Sequence, residues 1–293
     1  MLFEVASSSL PAERAVSGTS APVGIFDSGL GGLSVLRAVR AALPHEPLAY
    51  VADSLYAPYG ERDDDFIVDR TTAIGEWLVA RGAKALVVAC NTATAQSIAH
   101  VRERLAIPLI GVEPGVKPAA LLSKTRVVGV LATAVTLRSL RFQTLLDRYA
   151  SDCRFICQPG HGLVQAVERC DTSSPELMAL LAGYLQPMLD AGADTLVLGC
   201  THYPFLDEAI RSIAGDRLQI VDTSVAIARQ LERQLDTHGL RTVDTDALLV
   251  PRFFSTADGE SQRQLAASLL GIDARVGHVV IPSRRTRPLS GIA

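Results

Sequence analysis

The stretch LVVACNTATA, Leu86–Ala95, is an apolar, β-branched run that stops at Cys90 and turns at once into Asn91 and Thr92. LVLGCTHYPF, Leu196–Phe205, has the same layout, with Cys200 followed by Thr201 and His202. Each reads as a short buried strand that ends in a polar turn. Outward from these two, VGIF at Val23, PLAYVAD at Pro47, PLIGV at Pro108, RVVGVLA at Arg126 and LQIVD at Leu218 read as further buried strands. Between them, helical spacing covers 33–43, 65–81, 94–105, 138–149, 175–191 and 223–238. Strand and helix in alternation predict an α/β fold with parallel sheets covered on both faces.

The chain also repeats itself. Shifted by 110 positions, Gly82, Ala83, Leu86, Val87 and Cys90 fall on Gly192, Ala193, Leu196, Val197 and Cys200; shifted by 105, VGIFDS at Val23 meets VGVLAT at Val128. Unequal offsets point to two related halves with insertions rather than an array of identical repeats. Proline and glycine cluster in GVEPGVKPA, Gly111–Ala119, which marks a boundary. The expected organisation is a flexible leader over 1–21, an N-terminal α/β domain over 22–113 completed by a returning segment over 224–293, and a second α/β domain over 114–223.

Composition narrows the function classes. At 293 residues, 48% hydrophobic and 20% charged, the chain has ample material for a large core. A net charge of −3 gives no footprint for nucleic acid. The one basic cluster, Arg284, Arg285 and Arg287, reads as a solvated tail. No apolar stretch reaches the roughly 20 residues of a membrane span. The leader carries Glu4 and Glu13 and lacks the apolar centre of a secretion signal. Five cysteines without zinc-type pairs (Cys90, Cys153, Cys157, Cys170, Cys200) fit reduced thiols in the cytoplasm.

Ligands of open parallel sheets sit beyond the carboxyl ends of the strands, where Cys90 and Cys200 both fall. With the two sheets facing across a cleft, the thiols approach one ligand from opposite sides. That suits a reaction with two bases on two faces of one carbon: a proton leaves the Cα of an amino acid on one side and returns on the other. One cysteine after a strand is ordinarily a small buried hydrophobe; two at matching positions, each followed by two polar residues, are not. Cys153, Cys157 and Cys170 lack that context and keep the ordinary reading. First-turn amides beside Asn91, Thr92, Thr201 and His202 can hold a carboxylate and stabilise developing negative charge.

GIFDSGLGG, Gly24–Gly32, places Asp27 and Ser28 at a strand end, but its spacing is neither of the phosphate-binding glycine patterns. Asp27 reads better as an acid that orients a thiol or accepts an ammonium. DSLYAPYGER, Asp53–Arg62, puts Tyr59 and the Gly60 amide in a turn able to line the cleft, and ATAVTLRS adds the hydroxyls of Thr133 and Thr136. His202, two residues after Cys200, reads as a catalytic partner; His161 and Glu168 in CQPGHGLVQAVERC are weaker candidates.

Taken together, GIFDSGLGG, YVADSLYAPYG, CNTAT and LGCTHYP, in that order, resemble the glutamate racemase family, within the aspartate/glutamate racemase group that works without a cofactor. The resemblance runs from about Pro22 to Thr223. It implies two α/β domains with the active site between them, and interconversion of L- and D-glutamate for peptidoglycan synthesis. Cys90 would be the base toward D-glutamate and Cys200 the base toward L-glutamate, assisted by Asp27 and His202, with Glu168 as the family's assisting glutamate. Ser28, Tyr59, Gly60, Asn91, Thr92, Thr133, Thr136 and Thr201 would hold the substrate together with Asp27 and His202. No metal is implied. Glutamate is the small-molecule partner, neither nucleic acid nor membrane is expected to bind, and a homodimer stays open as the assembly. Aspartate or another amino acid is the alternative substrate in the same fold. A pyridoxal phosphate enzyme would need a Schiff-base lysine, and the three lysines, Lys84, Lys117 and Lys124, adjoin no phosphate cradle.

Overall fold

The computed structural model describes residues 18–243 and 249–285. Residues 1–17 of the leader, and Arg287 of the basic cluster, lie outside the described residues. The strands are β1 (Val23–Asp27), β2 (Leu48–Ala52), β3 (Ala85–Val88), β4 (Leu109–Gly111), β5 (Val127–Ala132), β6 (Arg154–Pro159), β7 (Thr195–Gly199), β8 (Gln219–Val221), β9 (Arg252–Ser255) and β10 (Val276–His278). The α-helices are α1 (Leu33–Ala42), α2 (Asp64–Ala80), α3 (Asn91–Arg104), α4 (Val116–Leu122), α5 (Ala134–Arg138), α6 (Leu140–Asp147), α7 (Leu163–Glu168), α8 (Pro175–Asp190), α9 (Asp207–Ala214), α10 (Ser224–Thr237) and α11 (Glu260–Leu270).

Every pairing is parallel, and two sheets form, ordered β10-β9-β2-β1-β3-β4 and β6-β5-β7-β8. The inner four strands of the first sheet, β2-β1-β3-β4, have the topology of the whole second sheet. The register agrees with the sequence offsets. Val23 pairs with Ala85 as Val128 pairs with Thr195, and Phe26 with Val88 as Leu131 with Leu198. The repeated Gly-Ala has a physical cause. Gly82 and Gly192 take φ of 84° and 83° past the ends of α2 and α8. Ala83 N–H then donates to Leu78 O at 3.1 Å and Ala193 N–H to Met188 O at 3.0 Å. These are the Schellman closures that a left-handed glycine permits.

Both faces of each sheet are covered, which explains continuous apolar strands in place of alternating ones. Val23, Ile25, Ala85 and Val87 face a layer with α1 and α10, while Phe26, Leu86 and Val88 face a layer with α2 and α3. Leu196 and Leu198 pack with α8 and α9, and Val197 packs with α4.

All seven strands read from the sequence are present, and three more join them. β6 is the edge of its sheet and nowhere fully buried, so it carries no apolar run. β9 and β10 are short strands of 4 and 3 residues added at the outer edge of the first sheet. The helical spacing over 138–149 breaks in two, because extended Ser139 (ψ 139°) caps α6 by accepting from Phe142 N–H. Helix α3 begins earlier than the spacing over 94–105, at Asn91, because Cys90 is itself the N-cap residue. No helix among the described residues is long and apolar enough to cross a membrane.

Candidate active site

Strand β3 runs out at Val88, and Cys90 sits two residues later in extended conformation (φ −134°, ψ 119°), its sulfur accepting from the Ala93 N–H at 3.4 Å. A thiol in this cap position is held at the mouth of the helix, at the edge of the core cluster that includes Phe26 and Tyr59. Its other contact is Ser28 Oγ at 3.4 Å, from the end of β1. Cys200 follows β7 in the second sheet, with its sulfur 3.7 Å from His202 Nδ1. Neighbouring residues at the end of β1 link the two thiols' surroundings, Ser28 reaching Cys90 and Asp27 reaching Thr201 beside Cys200; burial and then the Asp27 carboxylate push the Cys90 thiol far up. Both are buried, at 5% and 7% exposure.

The glycine-rich turn after β1 joins the halves. Asp27 Oδ2 accepts the N–H groups of Gly29 at 3.2 Å and Gly32 at 3.0 Å, curling the turn around a fully buried carboxylate. Its other oxygen accepts from Thr201 Oγ1 of the second half at 3.5 Å. Burial raises the Asp27 pKa against the lowering charge of His202. The glycines make room for second-half side chains. A Cβ on Gly29 would lie 2.1 Å from Glu168 Oε1, and one on Gly31 would lie 2.2 Å from His202 Nδ1. The spacing fits no phosphate cradle because the turn is a seat for two side chains.

Glu168, at the end of α7, reaches that seat. Its Oε1 accepts from Leu30 N–H at 2.6 Å and lies 2.6 Å from His202 Nε2. Gly31 N–H also points at Nε2, at 3.2 Å. One ring nitrogen cannot both accept from Gly31 and donate to Glu168, and the shorter carboxylate contact identifies Nε2 as a donor. Burial pulls the His202 pKa down, but hydrogen bonds to Cys200 and Glu168 outweigh it and hold the imidazole well above its usual value. The result is a charged imidazole between a thiol and a carboxylate.

A second bridge is made of hydroxyls. Thr92 Oγ1, in the first turn of α3, lies 2.9 Å from Thr133 Oγ1 and 3.4 Å from Thr136 Oγ1. Thr133 also caps α5, accepting from Thr136 N–H at 3.2 Å. Beside Thr92, the Asn91 Nδ2 is buried without a hydrogen-bond partner, a donor open to a ligand.

Of the residues singled out in the sequence, Asp27, Ser28, Cys90, Asn91, Thr92, Thr133, Thr136, Glu168, Cys200, Thr201 and His202 meet along this seam. The Tyr59 side chain is otherwise engaged: it is 1% exposed and its hydroxyl donates to Asp53 Oδ2 at 2.5 Å. What its turn presents to the seam is Gly60, where a Cβ would come within 3.1 Å of Thr133 Cβ. Exposed His161 lends only its carbonyl, to Tyr184. Cys153 is buried as expected, but Cys157 and Cys170 are exposed. Cys157 is on the edge strand β6, and Cys170, at φ 58°, turns the chain out after α7. Arg284 and Arg285 are exposed, as expected of a solvated segment, and the Arg285 guanidinium also pairs with exposed Asp65 at 2.8 Å while its N–H donates to Asp69.

Sequence reasoning missed Ser34 and Tyr50. Ser34 Oγ lies 3.0 Å from Thr201 O and 2.9 Å from Gly31 O, and the Tyr50 hydroxyl donates to Gly29 O at 2.9 Å. Both are buried in regular elements, and no local pattern marks them. Among the described residues no three His, Cys, Asp or Glu side chains are grouped to hold a metal ion. Lys84 is tied to Glu46 at 2.6 Å before the start of β3, at the opposite end of the sheet from the thiols.

Comparison with known proteins identifies the family and the fold. Residues 33–231 match the family model described as Asp/Glu/Hydantoin racemase. The chain is 58% identical to a glutamate racemase of Ralstonia nicotianae, over 92% of this chain and 97% of that one. Its fold superposes on the Escherichia coli glutamate racemase, solved with L-glutamate and the activator UDP-MurNAc-Ala, with a TM-score of 0.79 and 32% identity over 89% of this chain and 99% of that one. The Francisella tularensis glutamate racemase, solved with D-glutamate, gives a TM-score of 0.79 and 27% identity over 90% and 98%. A model match across most of the chain, with relatives of this identity covered nearly end to end, settles the kinship: the chain belongs to the Asp/Glu/Hydantoin racemase family.

Proposed function

We propose that the protein is a glutamate racemase, an isomerase that interconverts L- and D-glutamate by two-base proton transfer without a cofactor and so supplies D-glutamate for peptidoglycan. The observation that carries this reading is the placement of Cys90 and Cys200 just past equivalent strands, β3 and β7, of two sheets that share a four-strand topology. A relative at 58% identity bears the name glutamate racemase, and two solved relatives hold L- and D-glutamate. Residues 22–113 with 224–293 make one unit in this reading and 114–223 the other, since β9 and β10 extend the first sheet.

The chemistry balances on one proton. A thiolate on one side takes the Cα proton, leaving the electron pair on a planar carbanion, and the thiol on the other side delivers its proton to the opposite face. The stereocentre inverts, and each sulfur ends in the state its partner began in. At rest Cys90 is held as a thiol by burial and by Asp27, so it is set to deliver, while His202 Nδ1, 3.7 Å from the Cys200 sulfur, is placed to exchange a proton with it. A substrate ammonium near Asp27 offsets the carboxylate's charge and lets Cys90 serve as base in the other direction. The first-turn amides of α3, with Asn91 and the Thr92–Thr133–Thr136 hydroxyls, hold carboxylate oxygens.

Circular dichroism of purified protein with D- and L-glutamate tests the reading. Either enantiomer should drift to zero ellipticity without added metal or pyridoxal phosphate. Cys90→Ala and Cys200→Ala should each abolish the drift, and Cys→Ser at either site should slow the two directions unequally. Turnover of aspartate but not glutamate, or full activity in either alanine variant, would overturn it.

A further inference from the structure

Beneath the seam lies a buried polar network that the proton transfer does not use. Asp53, fully buried just after β2, takes a two-pronged grip from Arg70 of α2, Nη2 to Oδ1 at 2.6 Å and Nε to Oδ2 at 3.0 Å, with neither side chain exposed. Asp53 also accepts the Tyr59 hydroxyl at 2.5 Å and the Thr256 hydroxyl at 3.0 Å. Thr256 in turn accepts from Leu55 N–H at 3.2 Å, and Arg70 Nη1 donates to the Ile281 carbonyl at 2.5 Å. One carboxylate thus ties the turn that carries Tyr59 and Gly60 to α2 and, through Thr256 and Ile281, to the C-terminal segment.

A buried ion pair contributes little net stability over apolar packing, so its worth is more often in fixing one geometry. Here the geometry fixed is that of Gly60 against Thr133, whose hydroxyl belongs to the triangle facing the substrate. We propose that Asp53, Arg70 and Thr256 are positioning residues, which hold the Tyr59–Gly60 turn at the distance from Thr133 that the substrate's carboxylate end requires. The proposal rests on the glutamate racemase reading. None of the three touches the reacting carbon, and the turn serves both enantiomers alike. Loosening it therefore weakens binding equally in both directions and leaves the proton transfers to the thiols.

Tyr59→Phe removes one hydrogen bond and keeps the ring that packs on Phe26 and Phe66. Thr256→Val removes another from outside the cleft, and Arg70→Lys keeps the charge but loses the fork. KM for D- and L-glutamate should rise together by about tenfold in Tyr59→Phe and Thr256→Val, the effect of one hydrogen bond to a charged group, with kcat falling far less. Arg70→Lys should raise KM further; should it fail to fold, the other two variants decide. Unchanged KM with a lowered melting temperature would reduce the network to a structural role and overturn the proposal. A kcat loss unequal between the two directions would also overturn it, by tying the turn to one thiol. The wild-type drift in the same assay tests the activity itself, so failure of that reading is seen before any variant is compared.

Discussion

Two neighbours decide the charge of His202: Cys200 Sγ at 3.7 Å and Glu168 Oε1 at 2.6 Å. Burial opposes a charged ring, yet the carboxylate and the sulfur prevail and its pKa stands well above the ordinary value of 6.5. The sign of the linkage follows. A histidine whose folded pKa is raised binds its proton more tightly in the native state, so its stabilisation is fully present below the unfolded pKa, about 6.5. That stabilisation is lost as pH climbs from there through the raised folded value. Unfolding free energy should therefore decline from neutral toward alkaline pH, and His202→Asn should flatten that decline while lying below wild type at pH 6. The same variant should lose racemase rate by about 10²–10⁴-fold, more severely where Cys200 is the base. Urea titrations at pH 6 and 9 check the first part, and initial rates from each enantiomer check the second. An unchanged slope would mean that the imidazole is neutral in the folded protein.

Among the elements, the turn between β1 and α1 is the most constrained, and it shows what a sequence can and cannot disclose. Its order, an acid and a serine followed by glycines, was legible as a strand end entering a site. The reason for the glycines was not, because Glu168 lies 138 positions from Leu30 and His202 lies 171 from Gly31. Tyr59 illustrates the same limit: its hydroxyl goes to Asp53 only because Arg70 and Thr256, at separations of 17 and 203, shape that carboxylate's surroundings. The thiols, in contrast, were legible because each ends an apolar strand and the pattern occurs twice. Gly31→Ala tests the turn. The added methyl would sit 2.2 Å from His202 Nδ1, and overpacking of that kind costs about 1–3 kcal/mol. A ring displaced by even 1 Å costs about 10²-fold in rate. Gly183→Ala, in α8 with open space around the new Cβ, should keep full rate and gain stability by roughly 0.5–1 kcal/mol. Equal rates in the two variants would show that the turn tolerates a side chain and is no seat for His202.

At the scale of the whole molecule, the two halves meet through Asp27 and Ser34 with Thr201, the glycine turn with Glu168 and His202, the hydroxyls of Thr92 and Thr133, and outer pairs such as Glu61 with Gln165. The thiols behind them are 5% and 7% exposed, and a cavity of about 370 Å³ between α2, α3 and residues 282–285 lies elsewhere. On the glutamate racemase reading, substrate reaches these buried thiols by parting the halves, and the contacts that close them set how often they part. Glu168 is the contact to remove, because it holds both Leu30 and His202. A hydrogen bond to a charged group contributes about 1.5–3 kcal/mol, so Glu168→Ala should raise the open fraction by at least about tenfold. Exposed Cys157, whose thiol is raised by burial alone, serves as the internal reference. With a slow thiol reagent at fixed pH, it should label first and at the same rate in both proteins, whereas Cys90 should label about tenfold faster in Glu168→Ala. Added glutamate should slow Cys90 labelling in wild type by holding the halves together. If Cys90 labels equally fast in the variant and in wild type, the seam is held closed by something other than Glu168, and ligand entry does not pass through it.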